Sequence, residues 1–227
     1  MHTPSKSAER RRRLQLFLFP VMVVTVALGW KYPILGFSVP LVMVMGMVGG
    51  LFNGRYVCGN LCPRGAFFDR IMASLNPGKT VPAAFKNMPV RTVLLVGLMG
   101  FMGYRLAQDI GNWRHWGYTF WLMCAATSAV GVILGFLVQP RAWCAFCPMG
   151  TMQHAFGGKL RQVAIDRAAC IDCRRCEKVC PISVPVLNYK AAGRVSDRDC
   201  LKCGECIAAC PRGALSWQGG QKGSSAA

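Results

Sequence analysis

Histidine is scarce in this chain of 227 residues, which contains His2, His115 and His154 and no others. All three lie outside the long apolar runs, and none directly follows a Cys-x-x-Cys pair. A membrane haem held by two histidines and a covalently attached c-type haem are therefore excluded. Glycine-rich fingerprints for flavin or dinucleotide binding are also missing, so the sequence predicts neither haem nor flavin.

Acidic residues are scarce as well, with nine Asp and Glu against 27 Lys and Arg, which gives a net charge of +18. The basic residues concentrate in segments 1–13, 54–91 and 139–227. No basic surface interleaved with stacking aromatic residues is apparent, so no nucleic-acid partner is expected. These segments fall on one side once the apolar runs cross a membrane. The positive-inside rule then places both termini in the cytoplasm. The expected location is a bacterial inner membrane.

Long apolar runs account for the composition, which is 53% hydrophobic with a mean hydropathy of +0.32. Each run approaches the ~20 residues that a helix needs to cross a bilayer. The sequence therefore predicts a multi-pass protein with four transmembrane helices at 14–30, 33–52, 90–106 and 118–138. The expected domains are a basic N-terminus (1–13), a transmembrane domain (14–158), a cysteine-rich domain (159–217) and a flexible tail (218–227).

An internal repeat follows the second and fourth runs. The loop at 55–65 contains Arg55-x-x-Cys58 and Cys62-Pro-x-Gly, and the loop at 141–150 contains Arg141-x-x-Cys144 and Cys147-Pro-x-Gly. Three residues separate the first pair of cysteines, whereas two separate the second pair. The membrane part is therefore predicted to consist of two repeated helix hairpins, each ending in a cytoplasmic cysteine pair.

The C-terminal region carries a doubled cysteine pattern. Cys-x-x-Cys-x-x-Cys-x-x-x-Cys-Pro begins at Cys170 and is repeated from Cys200. Disulfides are rare in the cytoplasm, so the thirteen cysteines of the chain point to metal binding. A pair of zinc sites does not need this three-plus-one spacing, whereas [4Fe–4S] clusters do. The pattern predicts two such clusters.

Residues 163–217 resemble a bacterial ferredoxin domain with two [4Fe–4S] clusters. The resemblance implies that the fourth cysteine of each run ligates the other cluster. It also implies a small α+β domain with short terminal strands at 163–165 and 214–217. One implied ligand set is Cys170, Cys173, Cys176 and Cys210. The other is Cys200, Cys203, Cys206 and Cys180.

Residues 14–215 are similar to NapH-type membrane ferredoxins, a family of quinol dehydrogenase subunits related to the NosR core. The resemblance rests on the repeated cysteine loops ahead of the doubled cysteine pattern. It implies an α-helical membrane protein with a ferredoxin-like domain. The implied partners are quinone or quinol and other redox subunits, such as a ferredoxin-like protein or a c-type cytochrome. The short Cys144-x-x-Cys147 spacing departs from the family pattern.

Three interpretations of Cys58, Cys62, Cys144 and Cys147 remain open. They form a third metal centre, a dithiol redox relay, or buried inert cysteines. The doubled frame makes inert cysteines the least attractive interpretation, and we favour the metal centre over the dithiol relay. Arg55 and Arg141 are either membrane-surface anchors or contacts to a cluster or a quinone.

The leading functional hypothesis is a membrane-bound iron–sulfur electron-transfer subunit. It would exchange electrons between the quinone pool or a cytoplasmic donor and a partner oxidoreductase. The alternative is an assembly or maturation factor that supplies electrons to a respiratory metalloenzyme.

Overall fold

The computed structural model describes residues 6–73, 79–157 and 160–218, so the predicted tail at 218–227 lies outside it apart from Gln218. The helices are α1 (Lys6–Leu28), α2 (Ser38–Asn53), α3 (Tyr56–Asn60), α4 (Pro63–Arg70), α5 (Met88–Ala107), α6 (Trp113–Leu137), α7 (Ala142–Phe146), α8 (Pro148–Phe156), α9 (Arg175–Lys178) and α10 (Glu205–Ala209). The strands are β1 (Val163–Ile165), β2 (Arg194–Val195) and β3 (Leu215–Trp217). Short 3₁₀ turns occupy Pro33–Phe37, Ala83–Lys86 and Val186–Tyr189.

Three helical segments in the described part of the chain are long and apolar enough to cross a membrane, namely Pro33–Asn53, Met88–Ala107 and Trp113–Leu137. They correspond to the second, third and fourth predicted spans. Helix α1 is not among them, because it carries four consecutive arginines and ends at Leu28. Its apolar part is therefore limited to residues 14–28, which is shorter than a bilayer requires. The count of four spans stays a prediction.

Helix α6 begins five residues earlier than the apolar run suggested. Asn112 precedes its first turn, and the Asn112 side chain accepts hydrogen bonds from the backbone N–H groups of Arg114 and His115 at 3.1 and 3.4 Å. Such a cap satisfies N–H groups that have no partner within the helix. The cap therefore lets α6 extend through polar residues that hydropathy assigned to a loop.

The two cysteine loops fold in the same way. In each, a short helix (α3 or α7) contains the first cysteine, and the second cysteine stands directly before a proline that opens the next helix (α4 or α8). Proline suits the first position of a helix, because a backbone N–H at that position would have no hydrogen-bond partner within the helix. Cys147 directly follows the last residue of α7 and precedes α8, whereas Leu61 separates the end of α3 from Cys62. The extra residue of the first loop is thus absorbed between two helices.

The C-terminal domain, here residues 160–218, is built on an antiparallel sheet in the order β2-β1-β3. Val163 pairs with Val195 on one side and with Trp217 on the other. Buried aliphatic side chains, including Ile182 and Val184, form its core together with partly buried cysteines. The expected terminal strands are confirmed as β1 and β3, and β2 is an addition that the sequence did not indicate.

Candidate metal centres

The first site is a cavity of about 20 Å³ lined by Cys170, Cys173, Cys176 and Cys210. Three of these come from one loop, and the fourth comes from the second cysteine run. The backbone adopts the left-handed conformation on both sides of Cys173, with φ of 55° at Asp172 and 56° at Arg174. This alternation turns the loop tightly and lets its N–H groups face an anionic group.

The second site repeats this arrangement in a cavity of about 20 Å³ lined by Cys180, Cys200, Cys203 and Cys206. Left-handed residues again flank the middle cysteine, with φ of 50° at Lys202 and 79° at Gly204. The two cavities thus bring together the two groups of four cysteines that the ferredoxin resemblance implied. Iron ligation by each group stays a prediction.

The donor set fits iron–sulfur chemistry, because both cavities are lined by cysteine with no histidine. Within the described residues, no three His, Cys, Asp or Glu side chains converge closely enough for a single metal ion. The cysteines instead surround cavities, as the corners of a multi-iron cluster require. Burial raises the pKa of Cys200 to about 12 and that of Cys180 to about 11. Both are therefore protonated as free thiols, and binding iron would release those protons.

The third site joins the two membrane loops. Cys58, Cys62, Cys144 and Cys147 line one cavity of about 170 Å³. This cavity continues between apolar side chains of α1, α2, α5 and α6, among them Met22, Val42, Met99 and Phe120. All thirteen cysteines are free of disulfides. Burial raises the pKa of the Cys58 thiol, and it raises that of Cys144 to about 11.

Arg55 and Arg141 are buried and cross reciprocally between the two repeats. Arg55 Nη2 donates a hydrogen bond to the carbonyl of Cys144, and Arg141 Nη1 donates to the carbonyl of Cys58 at 3.0 Å. The glycine of each Cys-Pro-x-Gly makes room for the arginine of the other repeat. A Cβ on Gly65 would lie 2.9 Å from Arg141 Nη2, and one on Gly150 would lie 2.5 Å from Arg55 Nη2. The arginine of each repeat therefore contacts the cysteine loop of the other repeat, and we call this pair of contacts the reciprocal clamp.

Asp69 neutralises Arg141 in the first half of this clamp. Its carboxylate accepts two hydrogen bonds from Arg141, both at 2.7 Å, and another from the buried Arg11. Burial by itself would raise the pKa of Asp69, but the guanidinium groups of Arg141 and Arg11 outweigh burial and hold that pKa below its ordinary value.

Asp199 neutralises Arg55 in the second half of the reciprocal clamp, and it belongs to the C-terminal domain. It accepts hydrogen bonds from Arg55 at 2.9 Å, from Arg91 at 2.8 and 2.6 Å, and from His154 at 2.9 Å. Burial again opposes ionisation, but the His154 and Arg91 hydrogen bonds and the arginine charges lower the pKa of Asp199 well below its usual range. His154 follows Cys147 by the same seven residues that separate Asp69 from Cys62.

The second and third sites lie against each other. A Cβ on Gly59 would lie 2.0 Å from the carbonyl oxygen of Leu201, so only glycine allows the loops carrying Cys58 and Cys200 to approach this closely. Asn60 Nδ2 donates to the carbonyl of Lys202 at 3.4 Å. The first cavity, by contrast, is lined among the described residues by the C-terminal domain alone. The sites therefore follow in the order first, second, third towards the membrane.

Several residues of this region were missed by sequence reasoning. Asp199 and Arg91 form their pair across 108 positions, and nothing near either residue indicated a partner. Arg11 stood in a run that the positive-inside rule already explained, yet it is 5% exposed and contacts Asp69. Arg64 reaches the third cavity, and the Cys-Pro-Arg sequence was the one signal for it.

Comparisons with known proteins agree with these sites. A family described as "4Fe-4S dicluster domain" matches residues 169–215, and one described as "4Fe-4S binding domain" matches twice, at 35–75 and 119–164. The second family thus matches each half of the membrane part, once around each cysteine loop.

Individual relatives resemble most of the chain. An uncharacterized protein of Methanocaldococcus jannaschii is 25% identical over 221 residues, which is 89% of this chain and 83% of the relative. The ferredoxin-type protein NapH of Escherichia coli is 28% identical over 76% of this chain and 66% of its own length. The methylamine utilization ferredoxin-type protein MauN of Methylobacillus flagellatus is 28% identical over 62% of this chain and 54% of its own length. No solved structure matches. Together these matches support a NapH-type 4Fe–4S ferredoxin protein.

Proposed function

We propose that this protein exchanges electrons between the membrane quinone pool, or a cytoplasmic donor, and a partner oxidoreductase through three iron–sulfur centres in series. The proposed ligands are the cysteines of the first, second and third sites. Clusters bound there would supply one-electron transfer. The chain supplies the thiols, the order of the sites and the charges around them. The proposed orientation is multi-pass in a bacterial inner membrane with both termini cytoplasmic.

The observation that carries this proposal is the size of the third cavity. It measures about 170 Å³, against about 20 Å³ for each of the first and second cavities, although four cysteines line each of the three. A centre of similar size in the third cavity therefore leaves most of the space free. The additional space is apolar and runs between the membrane helices, as the ring and first isoprenoid units of a quinone require.

Arg64 gives this cavity a positive charge. Arg64 Nη2 donates to Thr127 Oγ1 at 2.9 Å and to the carbonyl of Cys124 at 3.4 Å. In the part of the chain that the structure describes, no carboxylate lies within ion-pair distance of Arg64, unlike Arg55 and Arg141. A half-buried guanidinium with neutral hydrogen-bond partners stabilises negative charge that develops beside it. Arg64 is therefore our candidate for the contact to a quinone oxygen.

Arg55 and Arg141 serve the third site differently. Each is neutralised by a carboxylate and donates to the backbone of a cysteine in the opposite repeat. We assign them the positioning of the two loops around the third site. The sequence also predicted a direct contact of Arg55 or Arg141 to a cluster or a quinone. Of these two residues, Arg55 lines the cavity and Arg141 does not, so this prediction is kept for Arg55 alone, beside Arg64.

The test is a redox reaction with a quinone in both directions. Protein with its clusters, reconstituted in nanodiscs, is mixed with a short-chain quinol, and dithionite-reduced protein is mixed with the corresponding quinone. We expect the electron paramagnetic resonance signals of the clusters to change in at least one direction. Signals that respond to a soluble donor but to neither quinol nor quinone would refute the quinone part of the proposal. Such a result would favour the maturation-factor alternative.

A further inference from the structure

The first site opens on an exposed face of the C-terminal domain. Ile171, which is 56% exposed, and the exposed Cys173 line its cavity together with the exposed cations Arg174, Arg175 and Arg212. We name these five residues the first-site face. It is the outward end of the series of sites, because the second site is covered by the membrane loops.

The positive charge of this face is not cancelled by neighbouring carboxylates. Among the described residues, none lies within ion-pair distance of Arg174, Arg175 or Arg212. The two acidic residues of the same loop and helix are already engaged. Asp172 pairs with Lys190 at 2.7 Å, and Glu177 accepts the backbone N–H of Leu187 at 3.1 Å.

The cations around the second and third sites differ from those of the first-site face. Four arginines near them are buried and pair with Asp69 or Asp199, namely Arg11, Arg55, Arg91 and Arg141. Arg64 of the third cavity has no carboxylate partner among the described residues, but it is half-buried rather than exposed. The one cation lining the second cavity, in the described part of the chain, is the largely buried Lys202. Cluster charge thus does not by itself call for exposed, unpaired arginines, and the first-site face needs another reason for them.

We propose that the first-site face is the docking surface for a redox protein that carries an acidic surface around its own redox centre. An apolar centre with a charged rim is the usual anatomy of a transient interface. Three unpaired cations steer an acidic partner towards the face and orient it, which accelerates encounter at low ionic strength. This inference rests on the electron-transfer role and does not depend on the quinone reaction.

The first test uses the wild-type protein with its clusters. Dithionite-reduced protein is mixed in a stopped-flow instrument with the anionic oxidant ferricyanide or with the cationic oxidant hexaamminecobalt(III), at several ionic strengths. We expect the rate with ferricyanide to fall as salt increases and the rate with the cobalt complex to rise, because salt screens the face. Equal salt dependence for the two oxidants would overturn the proposal.

The second test reverses the charge. Arg174→Glu/Arg175→Glu is compared with the charge-matched control Arg194→Glu/Arg198→Glu, whose residues are exposed on β2 and beside Gly157. Binding of an acidic plant-type ferredoxin is measured by surface plasmon resonance. We expect the Arg174/Arg175 variant to associate about tenfold more slowly at low salt and the control to change much less.

Two results would contradict the docking face. Equal losses in the two double variants would make the effect one of overall charge. If Arg174→Glu/Arg175→Glu binds the ferredoxin normally and only the reduction potential of the first cluster shifts, the two cations adjust that potential and do not form a docking surface. Iron content equal to wild type is required of each variant, and Arg174→Lys/Arg175→Lys, which keeps the charge, should retain fast association.

Discussion

The replacement Asp199→Asn tests how the C-terminal domain is held against the membrane part. Asp199 accepts hydrogen bonds from Arg55, Arg91 and His154, which lie respectively in the first cysteine loop, in α5 and in α8. The side chains of Arg55 and Arg91 have no exposed surface. Asparagine keeps the shape of the side chain and removes its charge, so two buried guanidinium groups would lose their counter-ion.

The expected magnitude follows from that burial. Removing one partner of a buried ion pair costs about 3–5 kcal/mol, because the other charge stays buried without compensation. Each 1.4 kcal/mol corresponds to about a factor of ten in an equilibrium. We therefore expect the separation of the C-terminal domain from the membrane part to become at least about a hundredfold more populated.

Hydrogen–deuterium exchange measures this separation. The amides of α3, which carries Cys58 and Gly59 beneath Leu201, should lose about a hundredfold of their protection in Asp199→Asn. The matched control is Asp172→Asn in the same domain, since its partner Lys190 and Asp172 itself are partly or largely exposed. That exposed pair should contribute little. Unchanged exchange in α3, with iron content equal to wild type, would refute the reasoning.

Three further results are expected. Arg64→Met should slow electron exchange with a short-chain quinone about tenfold, because a hydrogen bond from a charged donor is lost, while Arg70→Met on the same helix leaves the rate unchanged. Gly150→Ala should lower the free energy of unfolding by about 1–3 kcal/mol, because the added Cβ crowds Arg55. In the control Gly100→Ala the added Cβ has no neighbour within 4 Å, so the free energy of unfolding should change by less than about 1 kcal/mol. The midpoint of thermal loss of cluster absorbance compares these glycine variants. Because the pKa of Asp69 is lowered in the folded state, ionised Asp69 stabilises the folded protein fully above about pH 4, and this stabilisation is lost as the pH falls through the lowered pKa. Hydrogen exchange of α4 should show this loss in the wild type and not in Asp69→Asn.

Local spacing explains what the sequence predicted well. The exchange of the fourth residues, Cys180 and Cys210, was implied by the resemblance to bacterial ferredoxins. The spacing itself places the other three cysteines of each run in one short segment, where they can face a common space. Apolar runs of sufficient length likewise located three of the spans. These signals depend on neighbours in the chain, so no knowledge of the remaining fold was needed.

Contacts between distant segments explain what the sequence did not reveal. The positive-inside rule accounted for Arg11 as a surface charge, and it left Arg55 and Arg141 either as surface anchors or as contacts to a cluster or a quinone. All three side chains are buried. Their carboxylate partners lie on other elements, and Asp199 even belongs to the other domain. The reason for the glycines in the repeated motif was also hidden, because each accommodates an arginine from the opposite repeat.

Iron and acid-labile sulfide per chain test the central claim of three iron–sulfur centres most directly. The comparison is between wild type and the variant in which Cys58, Cys62, Cys144 and Cys147 are all replaced by serine. Three [4Fe–4S] clusters predict about twelve irons in wild type and about eight in the variant. About eight irons in both proteins would contradict the third centre and confine the clusters to the C-terminal domain.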